Sequence, residues 1–345
     1  MSTYTVTMFV MSLIIGTTVV VSADHWIYAW VGLEINTLAI VPLMMMRPHH
    51  RSVEAAIKYF LTQAPASALL LMSALISAYA TGQWDIKSLS PLMTIPMSIA
   101  IGTKLGLVPT HFWMPDVLQG IPMKIGLTLA TWQKIAPMIL LYQISERIDI
   151  LPLMIMATLS VVVGGWGCLG QTQLRKFLAF SSIAHMGWMV MMIKYSPNLM
   201  LFIFFAYILV TMPVFWSFKE LSTTSTGQLP YIYMKSPVFT LANTLTILSL
   251  GGLPPFTGFL PKLFVTLELI NQGATTLAAI VMLAALLSLY AYTRLTYFAA
   301  MLTPPNDLKS NVMWRMSPFI NLKTAPFFIM ALLLLPISPA IVLFS

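Results

Sequence analysis

Residues 102–116 read Gly-Thr-Lys-Leu-Gly-Leu-Val-Pro-Thr-His-Phe-Trp-Met-Pro-Asp, and residues 251–262 read Gly-Gly-Leu-Pro-Pro-Phe-Thr-Gly-Phe-Leu-Pro-Lys. Each stretch lies in an apolar run too long to be one membrane-crossing rod. As straight helices, 90–119 would measure ~45 Å and 237–270 ~51 Å, against a hydrocarbon core of ~30 Å. Proline removes a backbone donor and clashes with the carbonyl one turn back, so both runs are predicted to unwind near mid-membrane. Unwound backbone is tolerated there only where protein or water satisfies it, which implies a wet interior.

The flanking sequence fits that reading. Of 345 residues, 58% are apolar, and only 18 are basic and 10 acidic; a soluble chain of this length would carry about 86 charges at the usual ~25%. A water-soluble fold is excluded. Apolar segments at roughly 4–22, 26–46, 55–80, 90–119, 123–144, 150–170, 174–194, 198–219, 237–270, 274–299 and 323–344 predict an all-α, polytopic membrane helix bundle of about eleven spans. The whole chain, 1–345, reads as a single membrane domain. Its interrupted spans are the fourth and ninth. A five-span unit crosses the bilayer an odd number of times, so tandem five-helix repeats at 1–147 and 148–300 would be inverted, with a loop and final span at 301–345. Paired broken helices at matching positions of inverted repeats point to a transport site.

The net charge of +8 is scattered between spans, which argues for topology and against a nucleic-acid surface. With the amino terminus on side one, that side holds Arg47, Arg51, Arg175, Lys176, Lys219, Lys235, Lys309, Arg315 and Lys323. Opposite loops hold Lys87, Arg147 and Lys194 beside Asp24, Asp85, Glu146 and Asp149. The positive-inside rule therefore places the amino terminus inside and the carboxyl terminus outside. Met1 leads almost directly into the first span, so no removable presequence is expected. A single cysteine, Cys168, excludes a disulfide framework, a thiolate zinc site and a cysteine-held iron–sulfur cluster. No glycine-rich nucleotide signature follows a strand, so no cofactor and no metal are expected on this chain. The 26 methionines suit adaptable helix packing or an organellar code with an extra methionine codon.

Ionisable side chains near the midplane cost ~2.5–3.5 kcal/mol each on insertion scales and are functional candidates by default. Glu34 lies ~12 Å into the second span and Lys134 ~16 Å into the fifth. Lys104 precedes Pro109 at the first break, and Lys262 follows Pro261 at the second. One carboxylate among three amines favours proton exchange over static pairing. Glu34 is expected to pair with Lys104, whose proton passes through water and polar groups to Lys134 and on to Lys262. Lys58, four residues after Glu54, reads as a helix-face ion pair or a further relay group. His111 and His185 read as packing histidines or proton carriers. Lys124, Glu268 and Arg294 read as anchors, and Gly164, Gly165, Gly167 and Gly170 as close helix contacts.

Several motifs carry a family resemblance: Trp-Val-Gly-Leu-Glu-Ile-Asn at 30–36, Glu-Ala-Ala-Ile-Lys-Tyr-Phe-Leu-Thr-Gln at 54–63, the segment from Lys104 to Asp116, Ser-Ser-Ile-Ala-His-Met-Gly at 181–187, and Gly-Gly-Leu-Pro-Pro-Phe-Thr-Gly-Phe at 251–259. In this order they resemble NADH:ubiquinone oxidoreductase chain 2, the antiporter-like membrane subunit of respiratory complex I, in its mitochondrially encoded animal form. The resemblance implies a proton-translocating module in the mitochondrial inner membrane. Its amino terminus would lie in the matrix and its carboxyl terminus in the intermembrane space. NADH, FMN, iron–sulfur clusters and ubiquinone would be handled by other subunits. It also implies that Glu34, Lys104, Lys134 and Lys262 match the family's relay carboxylate and lysines, and that other membrane-arm and accessory subunits and phospholipids are the partners. Bacterial relatives have three further amino-terminal spans, so a surface left open here would be covered by accessory subunits or lipid. A stand-alone cation/proton antiporter and a scaffold without its own proton path are the alternatives.

Overall fold

The structure, a computed structural model, describes residues 3–46, 49–230, 237–300 and 325–333. Arg47, Lys235, Lys309, Arg315 and Lys323, used above for topology, lie outside the described residues, as does the last span beyond 333. Among the described residues there is no β-strand, only two isolated bridges. The helices are α1 (Thr3–Val21), α2 (Trp26–Met44), α3 (His50–Thr81), α4 (Thr94–Leu105), α5 (Trp113–Gly120), α6 (Met123–Ala130), α7 (Trp132–Gln143), α8 (Ile150–Leu169), α9 (Leu174–Met191), α10 (Pro197–Glu220), α11 (Pro237–Gly251), α12 (Phe259–Asn271), α13 (Thr275–Ala300) and α14 (Ala325–Leu333). Six of these, α1, α2, α3, α8, α10 and α13, are long and apolar enough to cross a membrane. Apolar side chains such as Tyr4, Leu61, Tyr79 and Leu283 stand exposed on them, an arrangement suited to lipid and costly in water.

Two compact units result: residues 1–160 with 190–197, and 161–189 with 198–345. In the first, α1 lies along α2 and α3 against α2, α4 and α5. Gly16 and Gly32 let α1 and α2 touch through backbone, since a Cβ on Gly32 would stand 2.8 Å from the Gly16 carbonyl oxygen. In the second unit, a Cβ on Gly164 would lie 2.7 Å from the Ala184 nitrogen, one on Gly165 3.1 Å from the Ala284 oxygen, and one on Gly167 inside the Phe180 ring. Those three glycines are close contacts, as expected. Gly170 is not: just past the end of α8, it has nothing within 4 Å of where its Cβ would be.

Both long runs do unwind, and they unwind alike. α4 ends at Leu105 with Gly106 left-handed at φ 78°, and α11 ends at Gly251 with Gly252 at φ 82°. Each terminus closes with the Schellman pair of bonds. Leu107 N donates to Gly102 O and Gly106 N to Thr103 O; Leu253 N donates to Leu248 O and Gly252 N to Ser249 O. The next half-helices begin at Trp113 and Phe259, again with matching turns, Met114 N to His111 O and Leu260 N to Thr257 O. One register relates the two breaks throughout. Gly106, Leu107, Pro109 and Pro115 align with Gly252, Leu253, Pro255 and Pro261, and Asp116 aligns with Lys262.

The fifth span departs from expectation. Read as one regular helix over 123–144, it divides into α6 and α7 at Thr131, whose backbone sits at φ −115°, ψ −68°. Pro137, inside α7, denies the Gln133 carbonyl its helical donor, but that lost bond lies beyond Thr131 and does not account for the split.

The glycine contacts give a paired test. Gly164→Ala forces α8 from the α9 backbone and is expected to cost about 1–3 kcal/mol, whereas Gly170→Ala is expected to be neutral. Thermal melting of the two variants in detergent checks the difference.

Candidate functional site

In the first unit, α2 presents Glu34, half-buried, two turns into an apolar helix. Its carboxylate accepts from the Thr37 hydroxyl at 2.9 Å, one turn along the same helix, and from the Ser67 hydroxyl of α3. Lys104 sits in the last turn of α4 and Lys134 in the first turn of α7, only 7% and 2% exposed. Both lysines line one cavity of about 10 Å³ together with Asn36, Thr37, Tyr59, Gln63, Trp113 and Gln133. That is room for about one water molecule. Gln133 Nε2 donates to the Asn36 carbonyl at 3.1 Å and ties α7 to α2.

The lining asks for such a molecule. Lys104 Nζ, both amide atoms of Asn36 and Nε2 of Gln63 are buried without a hydrogen-bond partner among the described residues. Leaving buried polar groups unpaired costs about 1–3 kcal/mol each, so hydration of this cavity is the arrangement that satisfies them. The direct Glu34–Lys104 pair expected from the sequence does not form. Among the described residues no ion pair joins them; Glu34 is held by hydroxyls instead.

In the second unit, Lys262 occupies the first turn of α12, 8% exposed, and its ammonium donates to the Gly251 carbonyl at 2.7 Å. It arches over Gly252, where a Cβ would stand 3.0 Å from Nζ. A cation in a first helical turn meets the positive end of the macrodipole, and reaching back to the carbonyl end of α11 offsets this. Lys262 shares a cavity of about 20 Å³ with His185, Trp188, Tyr207, Leu250 and Pro261. The Tyr292 hydroxyl lies 3.5 Å from His185 Nε2.

The sequence candidates therefore divide into groups. Lys104 and Lys134 share one cavity, with Glu34 held nearby by Thr37, another of its lining residues; His185 and Lys262 share the other. His111 is buried beside Phe112 at the first break, and it lines neither cavity. Lys58 is half-exposed and bridges Glu54 at 2.8 Å and Asp116 at 3.1 Å; the second partner was not foreseen. Thr37, Ser67, Asn36, Gln63 and Gln133 were also missed. Their signal was present, since each is a polar side chain inside an apolar run. Among the described residues no cluster of three His, Cys, Asp or Glu side chains could hold a metal ion.

Comparison with known proteins fixes the family. Residues 23–288 match the family described as NADH:quinone oxidoreductase/Mrp antiporter, TM, and residues 289–342 match NADH dehydrogenase subunit 2 C-terminus. NADH-ubiquinone oxidoreductase chain 2 of Aquarana catesbeiana is 51% identical over 99% of this chain and 100% of its own length. The chain belongs to the NADH-ubiquinone oxidoreductase chain 2 family. The Struthio camelus protein of that name is 49% identical over 96% of each chain. Among solved structures, a chain of respiratory complex I from Thermus thermophilus with bound aureothin is similar at a TM-score of 0.82 and 28% identity, covering 97% of this chain and 80% of that one. A chain of the Mrp complex from Dietzia sp. DQ12-45-1b shares the fold at a TM-score of 0.80 and 19% identity, over 86% of this chain and 60% of its own.

A high-resolution structure of the assembled protein is expected to place an ordered water within ~3 Å of Lys104 Nζ, also touching Asn36 or Gln63. A dry cavity would contradict the hydration argument.

Proposed function

We propose that this chain is a proton-translocating, antiporter-like subunit in the membrane arm of mitochondrial complex I, embedded in the inner membrane, with electrons passing from NADH to ubiquinone in other subunits. The observation that carries the reading is the burial of lysines in small cavities beside helix breaks, in a chain of this family. Other membrane-arm and accessory subunits and phospholipids are its proposed partners, and FMN and iron–sulfur clusters are assigned to those other subunits.

The proposed relay runs from Glu34 through Lys104 and Lys134 to Lys262. Around the first cavity, an ammonium gives its proton to water and becomes a neutral amine, and a neutral amine opposite takes a proton from that water; charge moves and no bond to carbon changes. In this relay Glu34 modulates Lys104, because the charge of a carboxylate shifts where a neighbouring amine's proton rests. Around the second cavity the Gly251 carbonyl holds the Lys262 ammonium, and His185, beside the Tyr292 hydroxyl, is a further proton carrier. Lys58 and His111 hold lesser places in this reading, Lys58 outside the cavity wall and His111 within the break.

The same reading assigns the finer architecture. About eleven spans form inverted five-helix repeats over 1–147 and 148–300, followed by the loop and final helix of 301–345, with the amino terminus in the matrix and the carboxyl terminus in the intermembrane space. The shared register and hydrogen bonding of the two breaks support it.

Charge variants test the relay in the assembled complex. Lys134→Met and Lys104→Met are expected to slow proton translocation about 10²-fold, the low end of what a proton-transfer group contributes. Lys134→Arg should fail equally, because a guanidinium keeps its charge but does not release its proton. Full pumping by both methionine variants, or rescue by arginine, would reduce the lysines to structural charges.

A further inference from the structure

The register that relates the two breaks sets Asp116, not Lys104, opposite Lys262. Gly106 and Gly252 both turn left-handed, the same Schellman bonds follow, the half-helices α5 and α12 begin at equivalent residues, and Asp116 and Lys262 both stand in the first turn. The residue equivalent to Lys104 is Leu250, a buried apolar side chain. Each first turn thus carries one ionisable group, of opposite sign. Lys262 turns back to the Gly251 carbonyl, while Asp116, favoured by the positive end of α5, turns outward to Lys58 at 3.1 Å.

The surroundings of Asp116 connect it to the cavity. Lys58 lies ~12 Å from the start of α3 and Glu54 one turn nearer that end, and both are exposed by about half. Deeper along the same helix, Tyr59 and Gln63 line the Lys104–Lys134 cavity, and Ser67 donates to Glu34. α3 therefore carries a ladder of polar side chains from an exposed end to the relay carboxylate. On α5, Trp113 lies one turn from Asp116 and lines the same cavity, with its ring edge-on to Tyr59 at 5.6 Å between centroids. On those two helices, Trp113 and Tyr59 are the cavity-lining residues nearest the ion pair in sequence.

We propose that Asp116, ion-paired to Lys58, is a further proton-exchanging group, the first unit's counterpart of Lys262, and forms the port by which the Lys104–Lys134 cavity exchanges protons with the side where α3 begins. The inference rests on the relay reading above. A hydronium ion delivers a proton to the Asp116 carboxylate, leaving water and a neutral carboxyl group, while Lys58 stays charged and paired to Glu54. The carboxyl group then releases that proton through water to a neutral amine of the cavity, and the carboxylate re-pairs with Lys58. No electrons change hands. The carboxylate is the exchanging group; Lys58 holds it charged between transfers.

Asp116→Asn, Asp116→Glu and Lys134→Met, each in the assembled complex reconstituted into vesicles, separate the readings by coupled NADH oxidation and acidification. Asp116→Asn is expected to assemble and to pump about 10²-fold more slowly, and Asp116→Glu to pump within about twofold of the unaltered protein. Full pumping by Asp116→Asn beside an inactive Lys134→Met overturns the port and leaves the relay standing. Full pumping by Lys134→Met overturns the relay itself. An Asp116→Asn chain that fails to assemble assigns the carboxylate to holding α5 against α3, and overturns the port as well.

Discussion

A charged amine cannot sit deep in a membrane protein unless polar atoms are brought to it, and most of this structure follows from that constraint. The three lysines buried among the described residues are served in different ways. Lys104 and Lys134 face a cavity whose wall includes amides, a hydroxyl and aromatic rings, and Thr37 of that wall holds the Glu34 carboxylate. Lys262 is served by a backbone carbonyl that a regular helix would have used internally. Both solutions need the helices to be interrupted where the charge sits.

The interruptions come from a short local code. A left-handed glycine ends each first half-helix at little steric cost, and the prolines that follow prevent the helix from resuming at once. Side chains then fasten each break. Trp113 Nε1 donates to the Thr103 carbonyl at the first, and the Thr257 hydroxyl donates to the Ala331 carbonyl of α14 at the second. The second contact fastens a late helix to the segment that positions Lys262. Breakage, lysine placement and packing are therefore one arrangement.

Much of this was legible in the sequence. Run length against bilayer thickness, together with proline and glycine, located both breaks, and the rarity of charge inside apolar runs singled out Glu34, Lys104, Lys134 and Lys262. Other features depend on where side chains from distant segments meet. Ser67 reaches Glu34 and Asp116 reaches Lys58 only once α3 packs on α2 and α5; of the hydroxyls that replace the expected Glu34–Lys104 pair, helical spacing reveals Thr37 but not Ser67. The split at Thr131 was hidden because a run of ordinary span length gives no excess to betray a break. Gly170 shows the converse, since a glycine pattern records opportunity for close packing and not the neighbour that uses it.

The buried lysines in these cavities are expected to gain and lose protons during turnover. Isotope-edited infrared difference spectroscopy of the complex, with lysine labelled on its side-chain nitrogen, reads that event directly. A lysine ammonium band is expected to change with NADH oxidation and to be diminished in Lys134→Met. A lysine spectrum unchanged by turnover would contradict that expectation, because the amines would then be fixed charges.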